Sequence, residues 1–166
     1  TFTLSGGSSM TRYENGELDS TSVSIIDIDR VLDPTNPLNK ELKVVPQFSI
    51  SYIGLNTKKP PFDDVKVRQA FNMAIDKKTL AEVVLKKMSQ PAKGILPPGF
   101  PGYNANLKGL DYDPKKALDL IKASKYGDPT KLPEITLYIS GGGGTAGPVI
   151  TAIVEMFKQA FGVEVA

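Results

Sequence analysis

Apolar residues recur in two different rhythms on either side of a double proline. From Gln47 to Leu55, in QFSISYIGL, β-branched and aromatic residues dominate, which predicts a long strand. Pro46, just before it, has no ladder donor and suits a strand start. Beyond the prolines, Val67, Ala70, Phe71, Ala74 and Ile75 fall at i, i+3, i+4, i+7 and i+8, one apolar face of an α-helix. Pro60 and Pro61 divide the two rhythms by stopping the strand and forcing an extended connection. Asp63 or Asp64 then stands where the helix needs an acceptor for its free N–H groups. Asp76 is expected to cap a second helix, KKTLAEVVLKK, buried through Leu80, Val83 and Val84.

The same reading extends to the rest of the chain. Residues 8 to 15 predict a short helix stopped by Gly16, VSII (23 to 26) a short strand, and 33 to 39 a turn-rich connection. Residues 93 to 113 carry no regular pattern, and loops of that length are usually functional or mobile. Asp113-Pro114 opens a third helix with Ala117, Leu118 and Ile121 inward. EITLYI (134 to 139) reads as a strand and SGGGGTAG as a loop. A helix from about Pro148 then buries Ile150, Ile153, Val154, Phe157 and Phe161. Gly162 ends that helix, and VEV opens another strand. Strand, loop, helix and the start of a strand make a βαβ unit short of its last member. The polypeptide is therefore expected to continue past Ala166. The expected fold class is α/β, with a mixed sheet flanked by helices.

Composition narrows the chemistry. The chain has 166 residues, 40% hydrophobic and 23% charged, as in a soluble globular protein of one domain or pieces of two. Its formal charge of +2 comes from dispersed lysines with no interleaved aromatics, so no nucleic-acid partner is expected. Neither cysteine nor histidine occurs, which excludes disulfides, thiol nucleophiles, Ser-His-Asp triads and zinc sites built from Cys or His. No apolar run approaches the roughly 20 residues that span a membrane. The opening TFTLSGG shows no Met, basic segment or apolar stretch. It reads as a processed or excised piece, compatible with an export signal already removed.

Three acidic or basic groupings invite a chemical role. Asp63-Asp64 has no further carboxylate or nucleophile that the sequence brings near, and a helix N-terminus explains it fully. Asp27, Asp29 and Asp33 fail the calcium-loop pattern, because Val31 and Leu32 stand where a ligand and a glycine are required. Arg68, four residues after Asp64, is placed for a helix-surface ion pair, with ligand binding as the less favoured role. No metal site and no catalytic residue is expected.

The glycine tract carries the sharpest signal. Gly142, Gly144 and Gly147 satisfy GxGxxG between a predicted strand and a predicted helix, and Glu164 stands near the place of a ribose-binding acid. A nucleotide-cofactor enzyme domain is the alternative this raises. The tract meets the pattern almost for free, however, and Pro148 follows the third glycine where such a helix is normally already under way. A plainer reading has backbone N–H groups and the helix start facing a carboxylate or other acceptor, and a ligand-free surface loop is a third.

YIGLNTKKPPFDDVKVRQAFNMAIDKKTLAEVV resembles the central signature of family 5 extracellular solute-binding proteins, the peptide-binding components of ABC importers. Tyr52, Asn56, Pro61, Phe62, Asp64, Val67, Arg68, Ala70, Ala74, Ile75 and Asp76 fit its pattern. YENGELD, AKGILPPGFPGYN, LDYDPKKALDLIKAS and FKQAFGVEV resemble further elements of that family in order and spacing, so the likeness covers nearly the whole chain.

The resemblance implies part of a two-lobed periplasmic-binding-protein-like fold of type II. Residues 1–46 would form the tail of lobe one and the approach to the hinge. Residues 47–166 would form a hinge strand and the first half of lobe two. It further implies capture of an oligopeptide, or another small oligomeric solute, by lobe closure. A membrane ABC permease reads the closed form, and no chemistry or cofactor is involved. A monomer is expected, periplasmic or extracellular, free or lipid-anchored at the cell surface. The family's acidic residue for a peptide amino terminus would lie beyond Ala166. The ligand-facing loop would be Ser140, Gly141, Gly142, Gly143, Gly144 and Thr145, lacking the His or Arg that many peptide-binding relatives carry there. Tyr52 is a second candidate contact, with a core aromatic as the alternative.

Overall fold

The structure, a computed structural model, describes residues 8–45, 47–139 and 147–166. It divides into two compact units, Thr1–Pro46 and Gln47–Ala166.

The first unit holds α1 (Ser9–Glu14), α2 (Ile28–Leu32) and a 3-10 turn at Pro37–Lys40. Among its described residues Met10, Ile28 and Val31 are buried. Arg30 joins the two helices by donating to the carboxylates of Glu14 and Asp27. The strand expected at 23 to 26 is not there. The N–H groups of Asp27 and Ile28 both donate to the Ser24 carbonyl, and Ser24 Oγ donates to Asp27 Oδ2 at 2.6 Å, which closes a turn. Asp33 likewise accepts from Thr35 N–H and Oγ1, both at 2.8 Å. Asp27 and Asp33 are thus committed to local turn bonds.

The second unit is built on α3 (Val65–Met73), α4 (Lys77–Thr79), α5 (Pro114–Lys122) and α6 (Pro148–Phe161). Side chains cap three of these. Asp64 accepts from Lys66 N–H at 2.8 Å, Asp76 from Thr79 N–H at 2.9 Å, and Asp113 from Lys116 N–H at 2.8 Å. Gly162 stops α6 in the left-handed region, φ 69°, which costs a glycine little. Helix α3 packs on α5, and α5 on α6. Phe71 lies at the centre, with ring centroids 5.2 Å from Phe62, 4.8 Å from Phe157 and 5.0 Å from Phe161. Val67, Ala70, Ala117 and Ile121 are fully enclosed around it.

Two expectations need correction. After α4 the coil widens into a π turn over Leu80–Val84, closed by Leu85 N–H on the Leu80 carbonyl. The extra residue per turn rotates Val83 outward, where it is 67% exposed, and buries Ala81 beside Leu80. The mixed sheet is also not found. Among the described residues the pairing is a single parallel bridge, Ile135 with Val165. Gln47–Leu55 makes no backbone ladder with any described segment, and a strand exists only through its partner.

Candidate functional site

A cleft of about 760 Å³ opens in the second unit between two non-helical segments. Tyr52, Ile53, Gly54 and Asn56 form one wall, continued by the turn Lys59–Phe62; residues 134–139 form the other, with Gly147 and Ile150 at the start of α6. Ile53 and Phe62 are half-buried and Ile135 is buried, so the floor is continuous with the apolar core. Tyr52 and Tyr138 stand out from the walls, 72% and 89% exposed.

The proline turn is held from below. Arg68 Nη1 donates to the Phe62 carbonyl at 2.7 Å, which fixes the residue joining cleft to core. Asp64 Oδ2 accepts the Lys125 N–H at 3.0 Å, and Asp63 pairs with the Lys125 ammonium. That Lys125 N–H bond, with smaller help from the N–H groups of Lys66 and Val67, holds the Asp64 carboxyl below the usual carboxylate range against partial desolvation. The Pro60-Pro61 peptide is cis. Neither aspartate faces the cleft as a catalytic pair: Asp64 caps a helix and Asp63 is ion-paired.

The expected site residues divide sharply. Ser140, Gly141, Gly142, Gly143, Gly144 and Thr145 lie outside the described residues. Ile139, just before that stretch, and Gly147, two residues after it, both line the cleft. Gly147 is the N-cap of α6 and offers no side-chain cap. Tyr52 is at the cleft and not in the core. Arg68 bonds to a carbonyl instead of pairing with Asp64. Sequence reasoning missed Tyr138, although alternation along EITLYI sets Thr136 and Tyr138 on the face opposite Ile135 and Leu137. Among the described residues no cluster of three or more acidic side chains is placed to hold a metal ion. No described helix is long and apolar enough to cross a membrane.

The second unit is thus helical, with one parallel bridge and an open cleft. The family model described as "Bacterial extracellular solute-binding proteins, family 5 Middle" matches residues 2–166, and the chain belongs to that family. Heme-binding protein A of Haemophilus influenzae is 45% identical over 78 residues, 47% of this chain and 14% of that protein. The glutathione-binding protein GsiB of Salmonella choleraesuis is 36% identical over 121 residues, 73% of this chain and 23% of that protein. Among solved structures, the Escherichia coli murein tripeptide binding protein MppA superposes with a TM-score of 0.75 at 26% identity, covering 95% of this chain and 31% of that one. Such neighbours are two-lobed periplasmic binding proteins. The chain spans less than a third of each of these relatives.

Proposed function

We propose that this chain is part of the solute-binding component of a peptide-type ABC importer. It captures oligopeptides, or other small oligomeric solutes, outside the cytoplasmic membrane by lobe closure and delivers them to a permease. The observation that carries this reading is the family match across residues 2–166. The unit Thr1–Pro46 would then belong to lobe one and Gln47–Ala166 to the hinge and lobe two. Solute would meet Tyr52 and the stretch Ser140–Thr145, reached from the end of the 134–139 segment. The component works as a monomer, free in the periplasm or tethered by lipid at the cell surface.

Binding without chemistry is the mechanism. A solute touching both lobes contacts more surface in the closed form and shifts the population toward it. The relatives' names span haem, glutathione and a murein tripeptide, so the family frame accommodates different solutes. The test is native mass spectrometry of the full gene product with a mixed tri- to pentapeptide pool, beside fluorescence titration with NADH. Retention of peptides supports the reading. Micromolar NADH binding with no peptide retained overturns it in favour of a nucleotide domain. The 166-residue chain alone is expected to bind peptide weakly, since pockets enclose roughly 70–90% of a ligand and one wall supplies only part of that.

A further inference from the structure

We infer that Asn15-Gly16 is a self-modification site, guarded by the turn that ends α1, and that it passes to isoaspartate and aspartate when that turn opens. The inference rests on local chemistry in the first unit and not on the transport reading.

The pair is the one Asn-Gly step in the sequence. Glycine has no Cβ to shield its nitrogen or restrict its backbone, so that nitrogen can reach the preceding side-chain amide. The Gly16 nitrogen gives its proton to water and attacks Asn15 Cγ. A C–N bond forms, the bond from Cγ to Nδ2 breaks, and ammonia leaves with a proton returned from water. The product is a cyclic imide. Water then opens the ring at either carbonyl: cleavage on the backbone side leaves isoaspartate, and on the side-chain side aspartate. Water is the only co-reactant.

The folded chain holds this step back in two ways. Gly16 N–H donates to the Tyr13 carbonyl at 2.9 Å and Glu17 N–H to the Arg12 carbonyl at 2.9 Å. These are the paired bonds of a helix stop, with Gly16 left-handed at φ 73°. The first bond keeps the attacking nitrogen protonated. Asn15 ψ of −2° also eclipses that nitrogen with Asn15's own, turned away from the Cβ that carries the target carbon. Arg12 Nε, donating to Glu17 Oε2 at 3.0 Å, braces the same turn. Yet Asn15 and Gly16 are exposed and α1 is only 6 residues long, so the turn opens locally without unfolding the unit. Opening admits the attack, and closing does not undo it. Isoaspartate puts one extra carbon into the main chain ahead of Gly16, so the two stop bonds lose register. Aspartate sets a negative charge at a helix C-terminus, beside Glu14 and Glu17, where the dipole disfavours it.

Peptide mapping by mass spectrometry of the full gene product, kept warm at neutral pH, tests this. An isoaspartate-specific methyltransferase counts the rearranged product. The references are the peptide TRYENGELDS (residues 11–20) and the gene product unfolded in urea. Peptide and unfolded protein should convert at Asn15 at matching rates, and the folded protein at least about 10-fold more slowly. Glu14→Gly weakens α1 from within and removes the tie to Arg30. It should raise the folded rate roughly 3- to 5-fold and leave that of its own matching peptide unchanged. A folded rate within about 10-fold of the peptide's overturns the inference, because the turn then guards nothing. A folded rate that Glu14→Gly leaves unchanged overturns it too. Absence of isoaspartate at Asn15 from both peptide and unfolded protein removes the site itself.

Discussion

Asp64 accepts the backbone N–H of Lys125, 61 positions away, at 3.0 Å while capping its own helix through Lys66 N–H at 2.8 Å. One carboxylate therefore ties the start of α3 to the end of α5. Asp64→Ala removes both bonds and is expected to cost about 1–2 kcal/mol. Asp64→Asn keeps a capping oxygen and should cost less. Urea unfolding followed by far-UV circular dichroism compares them, and equal losses would show that capping contributes nothing.

Acid should weaken the second unit through Asp64 and Asp76. Asp76 is held low first by the Thr79 N–H bond, as Asp64 is by Lys125 N–H. A carboxyl with a lower pKa folded than unfolded binds fewer protons in the folded state. Its stabilisation is complete above the unfolded value of about 3.9 and disappears as pH falls through the lower folded one. Urea midpoints between roughly pH 2 and 7 should be flat at the top and fall below about pH 4. In the double variant Asp64→Asn, Asp76→Asn the fall should be shallower.

Arg68 supports the cleft wall through the Phe62 carbonyl at 2.7 Å. Arg68→Met leaves that carbonyl without its charged donor and is expected to cost roughly 1.5–3 kcal/mol. Lysine keeps the charge but not the planar fork, so Arg68→Lys should recover only part. Exchange rates of the Phe62, Asp63 and Asp64 amides give the local readout. Rates unchanged from wild type in Arg68→Met would remove the bracing role.

Phe71 touches Phe62, Phe157 and Phe161 and is 3% exposed. Phe71→Ala should destabilise the second unit by about 3–5 kcal/mol, and Phe71→Leu by clearly less. Thermal unfolding measures both, and a loss below about 1 kcal/mol for alanine would mean that the core refills around the gap.

Helices were legible because their signals are local. Asp64, Asp76 and Asp113 cap where the sequence places caps, and Gly162 ends α6. The 3.6-residue period also found the enclosed face of Val67, Ala70 and Phe71. Strands were not legible in the same way, because residues alone do not supply a neighbour. QFSISYIGL has the composition of a strand, yet Phe48 and Tyr52 remain exposed and no described segment pairs with them. Ile135 and Val165 pair as the βαβ reading implies, at one bridge only. Arg68 was matched to Asp64 by spacing along the helix. Its actual partner arrives because the chain before the helix folds back, and linear spacing does not encode that. At the candidate site Tyr52 could be placed and the glycine stretch lies outside the described residues, while Tyr138 was overlooked although alternation marks it.

The bulge after α4 has a bearing on how family members differ in length. A wide coil holding one residue more than a regular helix is a place where a chain can lose or acquire a single codon without disturbing its flanks. When sequences of this family are laid side by side, one-residue gaps should gather between Leu80 and Val84. A shortened member should carry the residue matching Val83 inward, where this chain turns it to water.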